Sequence, residues 1–364
     1  MQPGAETVAS SLLINLSCLP QRPTGIAVYT RNVFPYLKPL EPTLLTAREI
    51  EGFACDRVPG DMTPDEGTRG HLKRLLWTQF RLPFTYRHLQ GRLLFSPLPE
   101  APLFAGCRSV VMAHDLIPLR FPQPRSRLTA YFRHYVPQVL KQAQHIVCNS
   151  QATAQDLVDF FQIPAAKISP IWLAYDADHF RPLDLPTRNY FLHLGRRESY
   201  KNLERLIDAF AALPSQLDCE LWFAGPDDQR YSPLLHQQVA ELGLAERVKF
   251  LDYVPYADLP KLLGQAIALV YPSLWEGFGL PLLEAMACGT PVISSNCAAL
   301  AEVAGDAALL VDPLKVAEIA EAMQLVATDG EARSQLRELG LARSRTFSWQ
   351  KTGEATAAIL QQYL

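Results

Sequence analysis

Two glutamates, Glu276 and Glu284, stand eight positions apart in the segment LVYPSLWEGFGLPLLEAMACG, residues 269–289. Ala268, Leu269, Val270 and Tyr271 read as an apolar strand running into a glycine-bearing loop that holds Glu276. A helix is expected to open at Pro281, where a missing N–H costs nothing, with Glu284 in its first turn. Gly289, followed by Thr290 and Pro291, reads as its stop. Strand, loop and helix N-terminus together offer free amides and the positive end of a helix dipole, which suits an anion. Two acids beside such a site serve no purpose if phosphate is the whole ligand. They fit a ligand that also carries hydroxyl groups, as a nucleotide sugar does. The plainer assignment is a solvated loop acid and a helix acid favoured by the dipole.

A basic cluster, Gly195-Arg196-Arg197-Glu198-Ser199-Tyr200-Lys201-Asn202, falls between another strand and helix. When a nucleoside diphosphate leaves, charge collects on its β-phosphate, and a fixed guanidinium and ammonium stabilise it. Arg196 and Lys201 are assigned that work, with Arg197 as the rival arginine; an ordinary basic surface loop is the alternative. His114 follows a strand at 109–113 in His114-Asp115-Leu116-Ile117-Pro118, which places it at the carboxyl end of a parallel strand; a purely structural histidine is the other reading. Pro23-Thr24-Gly25 joins the first strand to the first helix, and Gly25 alone also reads as a tight turn. Tyr253 and Val254 lie just after the strand at 248–251 and before the next helix, where Tyr253 reads either as packing on a nucleobase or as an ordinary half-buried aromatic. Asp176-Ala177-Asp178 has the DxD spacing of metal-dependent transferases but falls at a domain seam. No His/Cys/Asp cluster has metal-ligand spacing, so metal-independent chemistry without a cofactor is expected.

These residues need strands and helices to hold them, and the chain supplies an alternation of both, the pattern of parallel α/β layers. Strands are predicted at 12–16, 93–96, 109–113, 145–148 and 168–173, then at 190–194, 220–224, 248–251, 268–271, 292–294 and 308–311. Helices are predicted at 27–37, 72–89, 127–144 and 152–161, the last capped by Ser150. In the second half they are predicted at 203–213, 233–242, 256–263, 281–287, 316–328 and 331–343. Pro182 and Pro186 interrupt the pattern near 176–189, so an N-terminal domain of residues 1–180 and a C-terminal domain of 181–345 are expected, with a final helix in 346–364. Neither carries GxGxxG or GxxxxGK[ST], which gives no support to a dinucleotide dehydrogenase or a P-loop enzyme.

Composition fits this scheme. With 48% hydrophobic and 20% charged residues, the chain can fill two cores. No apolar run reaches the ~20 residues that span a bilayer. The first residues lack a basic n-region, and their apolar stretch fits a strand. Seven scattered cysteines without CxxC indicate a reduced, cytoplasmic protein. The net charge of −3 splits unevenly: residues 1–180 hold 18 basic and 14 acidic side chains (+4), leaving 16 and 23 (−7) for the rest. Residues 67–99 contain no acid, but Arg69, Lys73, Arg74, Arg81, Arg87 and Arg92 interleave with Trp77, Phe80, Phe84 and Tyr86. Residues 116–155 also lack acids. Such a face draws an acidic acceptor or an anionic membrane surface, or else is the solvated side of an amphipathic helix. Nucleic acid is disfavoured by the overall negative charge.

Glu276 and Glu284 within EGFGLP resemble the signature of retaining glycosyltransferases of family 4. The resemblance implies the GT-B fold: two Rossmann-like α/β domains facing a central cleft, with a C-terminal helix crossing back to the N-terminal domain, its start resembled here by residues 347–349. It implies that Glu276 faces the donor sugar hydroxyls and Glu284 binds the ribose. Arg196 and Lys201 match the family's Arg…Lys-Asn element. Gly25 matches its glycine loop, although many relatives have two glycines where this chain has Arg22-Pro23-Thr24 before Gly25. Amides of Phe278, Gly279 and Leu280 would join it around the diphosphate, while backbone near Tyr253 and Val254 would hold the nucleobase edge. The HDLIP run resembles mannosyltransferase-like members, whose histidine lies beside the donor sugar. The implied function is retaining transfer of a hexose from GDP-mannose or a UDP-hexose to a saccharide or lipid-linked acceptor, in the cytoplasm or peripherally at the inner face of the membrane. A sugar-nucleotide epimerase or hydrolase and a non-catalytic nucleotide-sugar-binding scaffold are the alternatives. A phosphorylase would need a pyridoxal lysine and far greater length.

Overall fold

A computed structural model describes residues 11–19 and 25–364. Two compact units divide the chain: the described residues up to Leu173 together with Trp349–Leu364, and Ala174–Ser348. The first holds a parallel sheet of seven strands among the described residues, β1 (Leu12–Asn15), β2 (Thr43–Thr46), β3 (Ala54–Arg57), β4 (Leu93–Ser96), β5 (Ser109–Ala113), β6 (His145–Cys148) and β7 (Ile168–Pro170), in spatial order 3-2-1-4-5-6-7. The second holds β8 (Tyr190–Leu194), β9 (Glu220–Ala224), β10 (Val248–Leu251), β11 (Ala268–Tyr271), β12 (Val292–Ser295) and β13 (Leu309–Val311), in order 10-9-8-11-12-13. Counted within its own unit, that order is the doubly wound 3-2-1-4-5-6, whose switch point lies between β8 and β11. In the first unit it lies between β1 and β4.

The central strands are mostly apolar, with polar residues only at their ends, because helices cover both faces of the sheet. Every residue of β1, β4, β5 and β6 is buried, as is every residue of β11 and β12. Register is set accordingly: Leu12, Leu13 and Ile14 pair with Leu93, Leu94 and Phe95, while Leu269 lies between Leu192 and Val292.

Proline explains where helices part from expectation. The stretch predicted as one helix over 72–89 is two, Gly67–Phe80 and Leu82–His88, with Pro83 in the first turn of the second. The 127–144 stretch divides into Arg127–His134 and Val136–Gln142, since Pro137 has no N–H to continue the ladder. The first helix, Gly25–Val33, gives way to a 3-10 turn at Phe34–Leu40 that contains Pro35 and Pro39. Ser150 caps Gln151–Phe161 as expected, its Oγ accepting from the Thr153 amide at 3.0 Å. Apart from short 3-10 turns, four elements went unread: β2, β3, the single helical turn Ile117–Arg120 and the helix Ala298–Ala304. The terminal helix Trp349–Tyr363 packs within the first unit, where Thr352 donates to the Trp172 carbonyl at 2.7 Å and the Tyr363 hydroxyl meets His145 Nδ1 at 3.0 Å.

Arg74, counted among the cations of the basic run, is not part of a basic face. It is buried and donates to both oxygens of Glu100, at 2.7 and 2.9 Å, because an unpaired guanidinium could not enter the core. Trp77 and Tyr86 from the same run also turn inward, onto the core.

Candidate functional site

The carboxyl ends of β8 and β11 meet at the switch point of the second unit, and both basic and acidic candidates hang there. After β8 the chain reaches Gly195, whose φ of +152° lies outside what other residues adopt readily. The loop then closes with a 3-10 turn at Ser199–Lys201 and enters the helix Leu203–Ala211 through Asn202, itself left-handed at φ +61°. Close approach of two loops also demands Gly225, since a Cβ there would sit 2.1 Å from the Gly195 carbonyl oxygen. Asn202 clamps the switch point: its Nδ2 donates to the carbonyls of Pro272 at 3.0 Å and Pro313 at 2.7 Å. The Leu274 amide donates to the Tyr200 carbonyl at 2.7 Å and ties the two loops together.

Lys201 and Glu276 consequently touch. The Lys201 Nζ donates to Glu276 Oε1 at 2.6 Å and to the Tyr271 hydroxyl at 2.8 Å, and both charged side chains are about nine-tenths shielded from solvent. The rings of Tyr200 and Tyr271 flank the ammonium at 5.1 and 5.0 Å. Burial alone would lower the Lys201 pKa, but the Glu276 carboxylate offsets this and the net shift is upward, so the lysine stays charged. Burial, reinforced by Glu276, likewise raises the Tyr271 phenol and keeps it neutral. Beneath the lysine, His193 stacks on Tyr271 at 5.3 Å and donates from Nδ1 to the Val270 carbonyl at 3.1 Å. Burial and then the Lys201 charge hold its pKa down at about 3, so the ring is neutral, with its Nε2 lone pair buried.

The two arginines separate. Arg197 is buried, donating to Asp227 at 2.8 Å and to the Leu251 carbonyl at 3.1 Å while lying 5.0 Å from the Phe250 ring. It braces the loops after β8, β9 and β10. Arg196 is exposed and has no ion pair among the described residues.

The helix expected from Pro281 begins one residue earlier, at Leu280, with Gly279 before it in the left-handed region at φ +113°. A Cβ on Gly279 would lie 2.6 Å from Leu300 Cδ2, and the left-handed φ would strain any larger residue at that entry. Glu284 therefore falls in the second turn, not the first, and the helix dipole is a weaker account of it. The residue as a whole is half-buried, and among the described residues no donor reaches its carboxyl. Burial pushes its pKa up to about 7. Phe278 is buried with its ring edge-on to Phe347 at 6.1 Å, while Leu280 and Val254 are half-buried and Tyr253 is 69% exposed. The helix start at Leu280 has no side-chain cap.

Asp176 is taken up by a turn: its Oδ1 accepts the amides of Asp178 and His179, both at 3.2 Å, and its Oδ2 accepts from Tyr256 at 3.3 Å. That leaves the DxD spacing without a free carboxylate pair.

In the first unit, His114 follows β5 and donates from Nε2 to the Pro97 carbonyl at 2.9 Å, with its ring edge-on to Tyr29 at 5.2 Å. Burial lowers its pKa to about 4, so it is neutral with Nδ1 as its acceptor nitrogen. Gly25 opens the helix Gly25–Val33 with an ordinary φ, and a Cβ there would meet nothing within 4 Å. A tight turn is thus not the reason for glycine at this position. Pro23 and Thr24 lie outside the described residues. Sequence reasoning missed His193 and Tyr271 as site residues because both read as strand interior; the one signal was a histidine inside the otherwise apolar run YFLHL.

Residues 176–343 match the family described as Glycosyl transferases group 1, and residues 23–179 match Glycosyltransferase Family 4. The chain is 32% identical over 257 residues to the O-antigen chain mannosyltransferase B of Escherichia coli, covering 67% of each chain. It is 27% identical over 320 residues to the O-antigen chain mannosyltransferase RfbU of Salmonella typhimurium, covering 83% of this chain and 87% of that one. Its fold is similar to sucrose-phosphate synthase from Thermosynechococcus elongatus, with a TM-score of 0.76 at 20% identity over 96% of this chain and 98% of that one. It is also similar to Anabaena HepE in complex with UDP-glucose, with a TM-score of 0.74 at 20% identity over 96% and 99% of the two chains.

Proposed function

This chain belongs to the group 1, family 4 glycosyltransferases and is a hexosyltransferase of the GT-B fold, and from that premise we propose retaining, metal-independent transfer from a nucleoside diphosphate sugar to a saccharide or lipid-linked acceptor. Mannose is the favoured hexose and GDP-mannose the favoured donor. The HDLIP run and two mannosyltransferase relatives support that choice. UDP-glucose is the second candidate, since HepE, alike in fold, was solved with it.

One observation carries the proposal: a buried lysine and glutamate held together at the switch point by loops from β8 and β11. An ammonium has three N–H donors, and Lys201 uses two of them on Tyr271 and Glu276. The third is assigned to the β-phosphate, and Arg196 to the same charge from the solvent side. Glu276 offers its remaining acceptor capacity to a donor-sugar hydroxyl, and Glu284 accepts from the ribose. Gly25 and His114 keep the donor-side roles that the resemblance gives them, with Phe278, Gly279 and Leu280 supplying amides and Tyr253 and Val254 lying toward the base. In the reaction the bond from the sugar's anomeric carbon to the phosphate oxygen breaks. The acceptor oxygen bonds that carbon on the same face, and its proton passes to the departing phosphate oxygen. No protein base is required, which agrees with burial making His114 a weak base, its pKa held down at about 4.

Thermal-shift titration with GDP-mannose and UDP-glucose tests the donor: the true donor raises the melting temperature and the other does not. Product anomeric configuration by NMR, with and without chelator, tests the rest. An inverted product, or activity abolished by chelator and restored by a divalent cation, contradicts the mechanism.

A further inference from the structure

Apart from Trp77, which packs on the core, helix Gly67–Phe80 is turned inside out. Its fully buried residues are Gly70, Arg74 and Thr78, while Leu72, Leu76 and Phe80 are 57%, 50% and 65% exposed. A helix facing water does the reverse, with its apolar stripe on the core and its polar side in solvent. The burial is deliberate packing: a Cβ on Gly70 would lie 2.4 Å from the Thr63 carbonyl oxygen, and Arg74 is held by Glu100 and by the Met62 carbonyl at 2.9 Å. The outward row steps by four residues, so its members are neighbours on one helix face. Phe84, on the following helix Leu82–His88, continues that step and is 67% exposed. Gln79 and Arg87 fasten the next loop alongside through the Leu103 amide and the carbonyls of Ala101 and Ala105, and that loop carries Phe104 at 88% exposure.

Cations surround this row. Arg69, Arg81 and Arg87 are exposed, and residues 67–99 include no acid. The nearby acids precede the helix: Asp61, paired with Lys73, and Asp65 and Glu66. A second copy of the same face would bring like charges together, whereas a negatively charged apolar boundary matches both features. No helix among the described residues is long and apolar enough to cross a membrane. We infer that this face seats the protein on an anionic membrane surface, with Leu72, Leu76, Phe80, Phe84 and Phe104 at the headgroup–acyl boundary and the arginines on lipid phosphates. The inference is independent of the transfer chemistry, since it concerns a surface and is read out by binding.

Vesicle flotation tests it, with phosphatidylcholine and phosphatidylglycerol in equal parts against phosphatidylcholine alone. The protein floats with the mixed vesicles and stays in the aqueous fraction with neutral ones. The double change Phe80→Ser and Phe84→Ser lowers partitioning by about tenfold or more, and Arg69→Glu with Arg81→Glu removes the salt-sensitive part. Circular dichroism and nucleotide-induced thermal shift remain as in the parent, because only exposed side chains change. Phe80→Trp reports the contact directly by a blue-shifted emission on mixed vesicles. The inference is overturned if the parent stays in the aqueous fraction with mixed vesicles, or if the serine variant floats equally well. It is also overturned if sedimentation velocity shows a dimer that the serine variant abolishes.

Discussion

Each unit buries one basic–acidic pair near the switch point or helix that defines it, and the two pairs are built differently. In the first, Arg74 is bidentate to Glu100, donates again to Met62, and leaves Glu100 to accept from Tyr131 at 3.1 Å. With His71 Nδ1 at 2.9 Å from Nη2, four of the five guanidinium N–H groups find partners inside the protein. In the second, Lys201 meets Glu276 through a single oxygen, and among the described residues the lysine's third N–H has no acceptor. A saturated pair can hold a helix against a sheet. An unsaturated pair keeps donor and acceptor capacity for something that arrives later. Burial and charge are alike in the two cases, so what distinguishes structure from chemistry here is how many partners inside the protein each pair engages.

Parallel glutamine substitutions break or sharpen that contrast. Glu100→Gln leaves a buried guanidinium without its counter-charge and should cost about 3–5 kcal/mol of stability in urea unfolding, with donor affinity unchanged in the folded fraction. If its stability matches the parent, the saturated pair is not structural. Glu276→Gln keeps an acceptor for Lys201 and should lose less stability, while the transfer barrier rises by about 3 kcal/mol as one positioned electrostatic contact is lost. Parent-like turnover in that variant removes Glu276 from the donor site.

The second unit was more legible in the sequence than the first. Its strands are largely apolar runs, broken only by His193 and Lys249, and β8, β9, β10 and β11 were read to the residue. In the first unit β3 is a half-exposed edge strand, ACDR, with no apolar run to find, and β2, TLLT, has only two apolar residues between threonines. The helix Ala298–Ala304 is built of small residues that leave a weak period. Glu276 and Lys201 were legible as individual candidates from loop context, but their contact spans 75 residues and depends on sheet order. The inverted helix was hidden for a related reason. A four-residue apolar step looks the same from either side until Glu100, 26 positions away from Arg74, shows which face is inward.

The paired arginines give a smaller and more selective contrast. Arg197→Ala unties the loops after β8, β9 and β10 and should lower stability by about 2 kcal/mol. Arg196→Ala, at an exposed position, should leave stability unchanged and weaken donor binding by about tenfold, from the loss of one charge-assisted contact. Isothermal titration beside thermal unfolding separates the two, and a reversed pattern would exchange their assignments.

Glu284 offers the finest test because it reads protonation. Its folded pKa, about 7, lies above the ordinary 4.5, so the folded chain keeps a proton that the unfolded chain gives up between those values. Stability from this group is therefore fully present below about 4.5 and declines as the pH rises through about 7. Ligand affinity should move the opposite way. A ribose hydroxyl donates to the ionised carboxylate, so nucleotide binding should tighten as pH rises through about 7, by about tenfold at most, since a single hydrogen bond to a charged group is involved. Glu284→Gln should flatten both profiles together. A flat affinity profile in the parent, with the stability profile intact, would mean that the carboxyl is buried for packing and the nucleotide binds elsewhere.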